Sequence, residues 1–384
     1  MRRTPTPSSS GARTASSSST SSTSRLSRSS SALPDLVVAG AGMAGLVAAA
    51  RARELGAGVV VHEKGDRPGG SMYLSSCVVW RYRDFERFRE ECPGGDPELQ
   101  RVVWEALDDA LGWVAGLGAP VVTRETGNPL TSGVRFDPQG LTEALARRAG
   151  DVRLGQPLAE IPDGVAVVLA TGGFQGDADL VREHITPEAR SLVLRANPWS
   201  TGDGLRLARG AGAAESVGLA EFYGRNLAAA PQIASEDFVP LAQVYARHAR
   251  VENLRGEVYE ARTWSEIDVV QWTARQPRAR ARYVVSDDAL AESVRERTVG
   301  EVIEAARTAG APVERRDGET AVEVIAGITT TLGGIAIDPR GRAADGLWVA
   351  GADAGGISTG GWSSALASAL VLGKIAAEDA LSGL

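Results

Sequence analysis

Residues 36–63 read Leu36-Val37-Val38-Ala39-Gly40-Ala41-Gly42-Met43-Ala44-Gly45-Leu46-Val47-Ala48-Ala49-Ala50-Arg51-Ala52-Arg53-Glu54-Leu55-Gly56-Ala57-Gly58-Val59-Val60-Val61-His62-Glu63. The apolar run Leu36 to Ala39 has the length and composition of a short buried strand. Leu46 to Leu55, rich in Ala and Arg, reads as a helix ending at Gly56. Val59 to His62 reads as a second buried strand. Between strand and helix lie Gly40, Gly42 and Gly45, in G-x-G-x-x-G spacing and in the strand-to-helix context that gives the spacing meaning. Gly40 allows the tight turn, Gly42 lets backbone approach a pyrophosphate, and Gly45 lets helix and strand pack closely. The helix N-terminus, at Met43 and Ala44, offers free N–H groups and a positive dipole end to phosphates. Glu63 lies 18 residues after Gly45, where a carboxylate accepts both ribose hydroxyls. An acid at that point disfavours a 2′-phosphate, so NADP is not expected.

Past Glu63 the chain continues Lys64-Gly65-Asp66-Arg67-Pro68-Gly69-Gly70-Ser71. A Gly69-Gly70-Ser71 turn directly after the second strand is foreign to the usual NAD pattern. It matches flavoproteins, in which such a turn lies along the pyrophosphate and ribityl chain. Four later stretches extend the match: Val167-Val168-Leu169-Ala170-Thr171-Gly172-Gly173-Phe174, Thr201-Gly202-Asp203-Gly204-Leu205, Thr331-Leu332-Gly333-Gly334-Ile335 and Leu347-Trp348-Val349-Ala350-Gly351-Ala352-Asp353. On these motifs the chain, from about residue 35 to its end, resembles the fumarate reductase/succinate dehydrogenase flavoprotein superfamily. It is most similar to the soluble branch holding tricarballylate dehydrogenase-like and 3-ketosteroid Δ1-dehydrogenase-like proteins.

The resemblance implies FAD as cofactor and an α/β fold. A discontinuous Rossmann-like FAD-binding domain would carry an inserted α+β capping domain. The expected division is a disordered tail at 1–34, FAD-binding segments at 35–212 and 326–384, and a cap at 213–325. Cofactor contacts are expected from Gly40, Gly42, Met43, Ala44, Gly45, Glu63, Lys64, Gly69, Gly70, Ser71, Ala170, Thr171, Gly172, Asp203, Gly351 and the ribityl-binding Asp353. Gly360 and Gly361 precede an Ala-rich helix read from Ser363 to Leu381. By resemblance, Ala365 and Leu366 present N–H groups there to flavin N1 and O2, where a helix dipole stabilises the anionic reduced ring.

Departures from the family are as informative. Val152 to Val165 is shorter than the family's β-meander, and the cap is reduced after Asp287. The family's dicarboxylate-binding histidine falls on Thr329 or Thr330, its clamp arginine on Gly360, and its acid arginine on Glu266. The cap histidine falls near Arg225 or Asn226. Fumarate and succinate are therefore not expected as substrates. The steroid dehydrogenases' C-terminal tyrosine is missing as well, since Ser358 to Trp362 has none. What remains in the cap is Glu221-Phe222-Tyr223-Gly224-Arg225-Asn226 and Tyr245-Ala246-Arg247-His248. Moving hydrogen onto or off a C–C bond needs a hydride path to the flavin and one proton donor or acceptor. Tyr223 and Tyr245 are the candidates for the proton, and Arg225 for anchoring a carboxylate or carbonyl through its fork of donors. His248 could exchange that proton too but is read first as a solvated helix face, Trp264 to Trp272 as a cap helix, Phe238 as a cap turn or helix end, and Cys77 as a packed thiol near the flavin.

Composition sets the outer limits. The 384 residues carry a net charge of −7, and five arginines in an acid-free 1–34 leave −12 for the rest. Such a body is not expected to bind nucleic acid, which needs a basic face. No apolar run reaches the ~18 residues of a membrane span. Arg2-Arg3 lacks the apolar segment of an export signal, and a cytoplasmic location is expected. Two cysteines and three histidines disfavour a metal centre. The expectation is an FAD-dependent oxidoreductase acting on a C–C bond beside a carbonyl or carboxylate of a small molecule. No second G-x-G-x-x-G stands in strand–helix context, so the electron partner is external. A flavin oxidase of another substrate class and a non-catalytic flavin-binding paralogue stand as alternatives.

Overall fold

Leu36–Ala39 is covered on both faces, as its unbroken apolar sequence requires of a parallel strand. In the computed structural model, which describes residues 33–382, it sits inside a six-stranded sheet. The strand order is Arg342–Ala344, Leu347–Val349, Ala166–Leu169, Leu36–Ala39, Val59–His62 and Asp151–Arg153. All neighbours run parallel except the first two. The helix following the first strand runs Met43–Glu54, three residues earlier than the apolar pattern suggests, because the glycine-rich turn itself winds into its first turn. It packs on the last helix, Ala365–Ala380. A Cβ at Gly373 would stand 2.5 Å from the Ala44 carbonyl oxygen, so this contact is one of backbone against small side chains.

A second sheet has a different character. Val258–Tyr259, Arg250–Asn253, Arg280–Ser286, Glu319–Thr331 and Val313–Arg316 form an antiparallel row. Phe222–Ala228 and Val193–Leu194 pair with the far half of Glu319–Thr331. The sheet has its own apolar core around Tyr245, Val251, Tyr283, Val302 and Val324. The 13-residue strand Glu319–Thr331 runs through the expected boundary at 325/326, and Val193–Leu194 joins this sheet from before residue 213. From Pro34 onward the described residues form one compact unit. The tail expected at 1–34 lies outside the described residues up to residue 32.

Some expected elements shift. The cap helix is Ile267–Ala274, which leaves Trp264 in the preceding loop. Phe238 closes the 3₁₀ turn Ser235–Asp237. The last helix starts at Ala365 because the Ser364 hydroxyl accepts from the Ala367 N–H and caps it.

The turn between first strand and first helix is held by close backbone packing. A Cβ at Gly45 would lie 1.8 Å from the Gly40 carbonyl oxygen. Gly45→Ala is expected to destabilise the fold by about 1–3 kcal/mol through overpacking, measured by chemical denaturation. An unchanged midpoint would refute this account of the turn.

Candidate functional site

The strands Leu36–Ala39, Val59–His62 and Ala166–Leu169 end at one edge of the first sheet, where open α/β sheets bind ligands. A cavity of about 1280 Å³ opens there. It exceeds the roughly 300–1,000 Å³ of ordinary small-molecule pockets, leaving room for an extended dinucleotide and a second molecule.

One end is a cradle of backbone. Gly42 is the N-cap of the first helix with no side-chain cap, and a Cβ there would meet nothing within 4 Å. The helix N-terminus is thus open to the cavity, and any side chain at 42 would fill the space a pyrophosphate needs. Gly69 holds φ +106°, and its N–H donates to the Ala41 carbonyl at 2.7 Å. Gly70 passes close enough that its Cβ would stand 3.2 Å from the Gly42 Cα. Ser71 Oγ accepts from Asn197 Nδ2 at 2.8 Å. The Glu63 carboxylate is buried and accepts from the N–H groups of Ala41 and Gly65, each at 2.6 Å; it also lines the cavity. Lys64 Nζ donates to Thr201 Oγ1 at 2.6 Å and to Asp203 Oδ2 at 2.8 Å. At the far side Ala365 and Leu366, in the first turn beyond the Ser364 cap, line the cavity. These features fit FAD: a helix start for the pyrophosphate, an acid for the ribose, and a second helix start for the ring.

The other end is aromatic and cationic. The Tyr223 ring stacks on Trp362, with centroids 3.6 Å apart and planes 13° from parallel. The Arg225 guanidinium lies 5.1 Å from the Tyr223 centroid and donates to the Ser265 carbonyl. Behind the wall, Arg195 donates to Thr329 Oγ1 at 2.8 Å and to the Phe238 carbonyl at 3.1 Å. A Cβ at Gly327 would stand 2.6 Å from Arg195 Cδ, so this glycine lets the long side chain cross the strand. Burial pushes Arg195 down to about 10. Removal from water alone would raise the Tyr223 phenol, but Arg225, Arg195 and Arg295 more than offset it, and the net shift is downward. Glu266 is buried at the helix start with φ 57°, and its carboxylate accepts from the Ala246 N–H at 2.8 Å. Burial pushes it up to about 7, against the pull of Arg225, Arg247 and Arg295. Arg295 holds φ 58° at the tip of the hairpin Ser293–Thr298. Cys77, at φ 52°, is a buried wall residue whose thiol burial pushes up to about 12. Left-handed φ at non-glycine residues is backbone strain of the kind that collects at functional sites.

Most residues singled out from the sequence line this cavity, Tyr223 and Arg225 among them. Four do not. Gly45 and Gly69 act one layer back, through the packing described above. Asp353 is buried, and its carboxylate accepts from Thr171 N at 2.5 Å, Gly173 N at 2.9 Å and Thr171 Oγ1 at 3.1 Å. Instead of facing the cavity as a ribityl ligand, it holds the Ala170–Gly173 turn in place. Tyr245 is a correction to its expected proton-carrying role. It is fully buried in the second core, its hydroxyl donates to Gln243 Oε1 at 2.8 Å, and burial raises its pKa. His248, read as solvated, is half-buried on the cavity wall. Arg195, Arg295, Glu266 and Trp362 were not singled out for chemistry. Glu266 stands at the position of the family's acid arginine and Trp362 two residues past that of its clamp arginine; Arg195 and Arg295 carry no such signal.

Glu266 gives a test with a definite sign. Its folded value near 7 lies above the usual 4.5, so the native state keeps a proton that the unfolded chain sheds. Stability from this group is full below pH 4.5 and is lost as pH rises through 7, by on the order of 3 kcal/mol. Glu266→Gln removes that slope. Denaturation midpoints of variant and parent should diverge in the variant's favour between about pH 4.5 and 7; parallel curves would show that Glu266 titrates normally.

Comparison with known proteins follows the same lines. A family model described as FAD binding domain matches residues 35–152 and 155–363. A curated protein of Lactiplantibacillus plantarum named vinyl phenol reductase is 28% identical over 240 residues, 50% of this chain. That match spans only 49% of the relative's length. Among solved structures, the open conformation of a flavocytochrome c3 fumarate reductase superposes with a TM-score of 0.67 at 20% identity, covering 90% of this chain and 78% of the other. A 3-ketosteroid-Δ4-(5α)-dehydrogenase of Rhodococcus jostii RHA1 gives 0.65 at 18% identity, over 90% and 96%. A 3-ketosteroid Δ1-dehydrogenase of Sterolibacterium denitrificans gives 0.67 at 15%, over 91% and 100%. The fold is theirs: an α/β body with a discontinuous FAD-binding domain and a second mixed sheet.

Proposed function

Because the chain belongs to the FAD binding domain family, with FAD as its cofactor, we propose that it is an FAD-dependent oxidoreductase acting on a C–C bond beside a carbonyl or carboxylate of a small organic molecule. The observation that carries the reading is the Tyr223–Trp362 stack among Arg195, Arg225 and Arg295, next to the helix start at Ala365 and Leu366. When bound, FAD supplies the hydride chemistry. The relative named vinyl phenol reductase supports the reductive direction. In that direction the alkene π bond gives way to two C–H bonds. One hydrogen would be supplied as hydride by FAD bound in its reduced form, which would be oxidised in exchange, and the other as a proton.

Tyr223 supplies that proton. Its phenol is a stronger acid than an ordinary tyrosine because three guanidinium groups stabilise the phenolate left behind. Arg225 turns its fork toward the substrate's carbonyl or carboxylate and stabilises charge that builds on oxygen as hydride adds. The N–H groups of Ala365 and Leu366, at the helix start that lines the cavity, would do the same for the ring of bound FAD. Tyr223 and Arg225 line this end of the cavity and would exclude water from the exchange when FAD is bound. An external two-electron donor completes the cycle. The buried free thiols Cys77 and Cys92 are compatible with the expected reducing, cytoplasmic setting.

Tyr223→Phe keeps the stack and removes the proton. It should lower the single-turnover rate of alkene reduction about 10²–10⁴-fold while flavin absorbance is retained. In the parent the reductive rate should fall as pH rises through a value below the ordinary phenol's 10, and the variant should lose that limb. A variant with parental rate and pH profile would eliminate Tyr223 as proton donor.

A further inference from the structure

Resting on the reading above, the substrate can be narrowed by what the far end of the cavity offers. Trp80, Trp264, Trp362 and Tyr223 all line it. Trp80 and Trp264 meet edge-on with centroids 6.2 Å apart, and both pack on Tyr82, whose hydroxyl donates to the Trp362 carbonyl at 2.7 Å. Two ring pairs, Trp80–Trp264 and Tyr223–Trp362, thus line the cavity, which the Ser364–Leu366 helix start also lines, and Tyr82 bridges them through the Trp362 main chain. Flat rings prefer offset or edge-on aromatic partners, each worth about 0.5–1.5 kcal/mol beyond buried area. A small aliphatic acid leaves such rings unused.

Charge supplies the second constraint. Arg225, Arg247, Arg295 and Arg297 line the same end, together with Glu266 and Glu296. No salt bridge to any of these arginines is present among the described residues. Three of them donate instead to neutral carbonyls: Arg225 to Ser265, Arg247 to Trp264 at 3.2 Å, and Arg297 to Pro240 at 3.4 Å. Arginines elsewhere on the surface pair with carboxylates, as Arg250 does with Glu319 and Arg342 with Asp379. A neutral polycyclic ligand such as a steroid would cover these cations without offering them an anion, which is costly. An anionic ligand gives them bidentate, charge-assisted partners.

We propose that the substrate is a planar aryl-conjugated carboxylic acid of the arylacrylate type, its ring against the cavity-lining tryptophans Trp80, Trp264 and Trp362 and its carboxylate among the arginines of the cap. Both demands meet in one molecule, because the alkene that accepts hydride lies between ring and carboxylate. The acid also activates that alkene, since charge developing on its oxygens during hydride addition falls to Arg225. Fumarate satisfies the cations and wastes the aromatic rings, and a steroidal enone does the reverse.

The test uses FAD-loaded protein, photoreduced without oxygen and mixed in stopped flow with trans-cinnamate, methyl cinnamate, fumarate, crotonate or a 3-keto-4-ene steroid. Return of oxidised flavin absorbance is followed. Cinnamate is expected to reoxidise the flavin at least ~10-fold faster than fumarate, crotonate or the steroid, and its methyl ester at least ~10-fold more slowly than the acid. Trp264→Leu should weaken half-saturation by cinnamate about 2–10-fold and leave that for crotonate unchanged. Fumarate, crotonate or steroid matching cinnamate would overturn the aryl-acid assignment while leaving C–C reduction intact. So would equal effects of Trp264→Leu on both acids. Flavin that stays reduced with every acceptor would sink the assignment together with the reading beneath it.

Discussion

Gly40 is so close to the Ala170 carbonyl that a Cβ on it would stand 2.2 Å from that oxygen. This approach of two main chains, one on each side of the crevice, is the constraint on which the cofactor end depends. It brings the turn after the first strand against the turn after Ala166–Leu169, and only a glycine with φ +100° can stand there. Two buried carboxylates then lock the turns. Glu63 takes the N–H groups of Ala41 and Gly65, and Asp353 takes those of Thr171 and Gly173. A carboxylate removed from water is stable only when its oxygens are this fully engaged. The same bonds therefore satisfy the acids and fix the main chain that faces the ligand.

The opposite end has the reverse chemistry. There Arg195 and the buried Arg225 are held against neutral partners. Among the described residues Arg195 donates to a threonine hydroxyl and a carbonyl alone, and its Nε has no partner. Such an arrangement is unfavourable in isolation and is tolerated because the surrounding sheet holds it. Phe222–Ala228 pairs along its whole length with residues 324–331 of the long strand, with one irregularity between Ile328 and Thr330, directly beside Tyr223. The favourable packing of two large cores offsets both this charge and the left-handed backbone at Glu266 and Arg295.

How much of the site was readable from residues alone follows from the range of the forces involved. The glycines at 40, 42 and 45, the Gly69-Gly70-Ser71 turn and Glu63 act through contacts a few residues away or across one βαβ unit. Their spacing along the chain therefore carries the information. Asp353 was recognisable as an acid at a strand end, but its direction was not. It turns inward because the N–H groups of Thr171 and Gly173, some 180 residues earlier, converge on it. Tyr223 and Tyr245 look alike in sequence, each beside an arginine-containing segment. Burial separates them: one stacks on Trp362 at the cavity, the other bonds Gln243 inside the cap core.

By itself the sequence determined the parallel sheet, the dinucleotide turn and the flavin type of cofactor, because hydrophobic period and glycine placement are local properties of a chain. Only the tertiary structure decided which cations surround Tyr223 and which rings form its wall. Arg195, Tyr223, Glu266, Arg295 and Trp362 come from five separate segments, and nothing in their spacing links them. They meet because strand register puts four of them at one end of one cavity and the passage of Arg195 over Gly327 brings it up behind that wall, where low polarity makes each charge felt by the others.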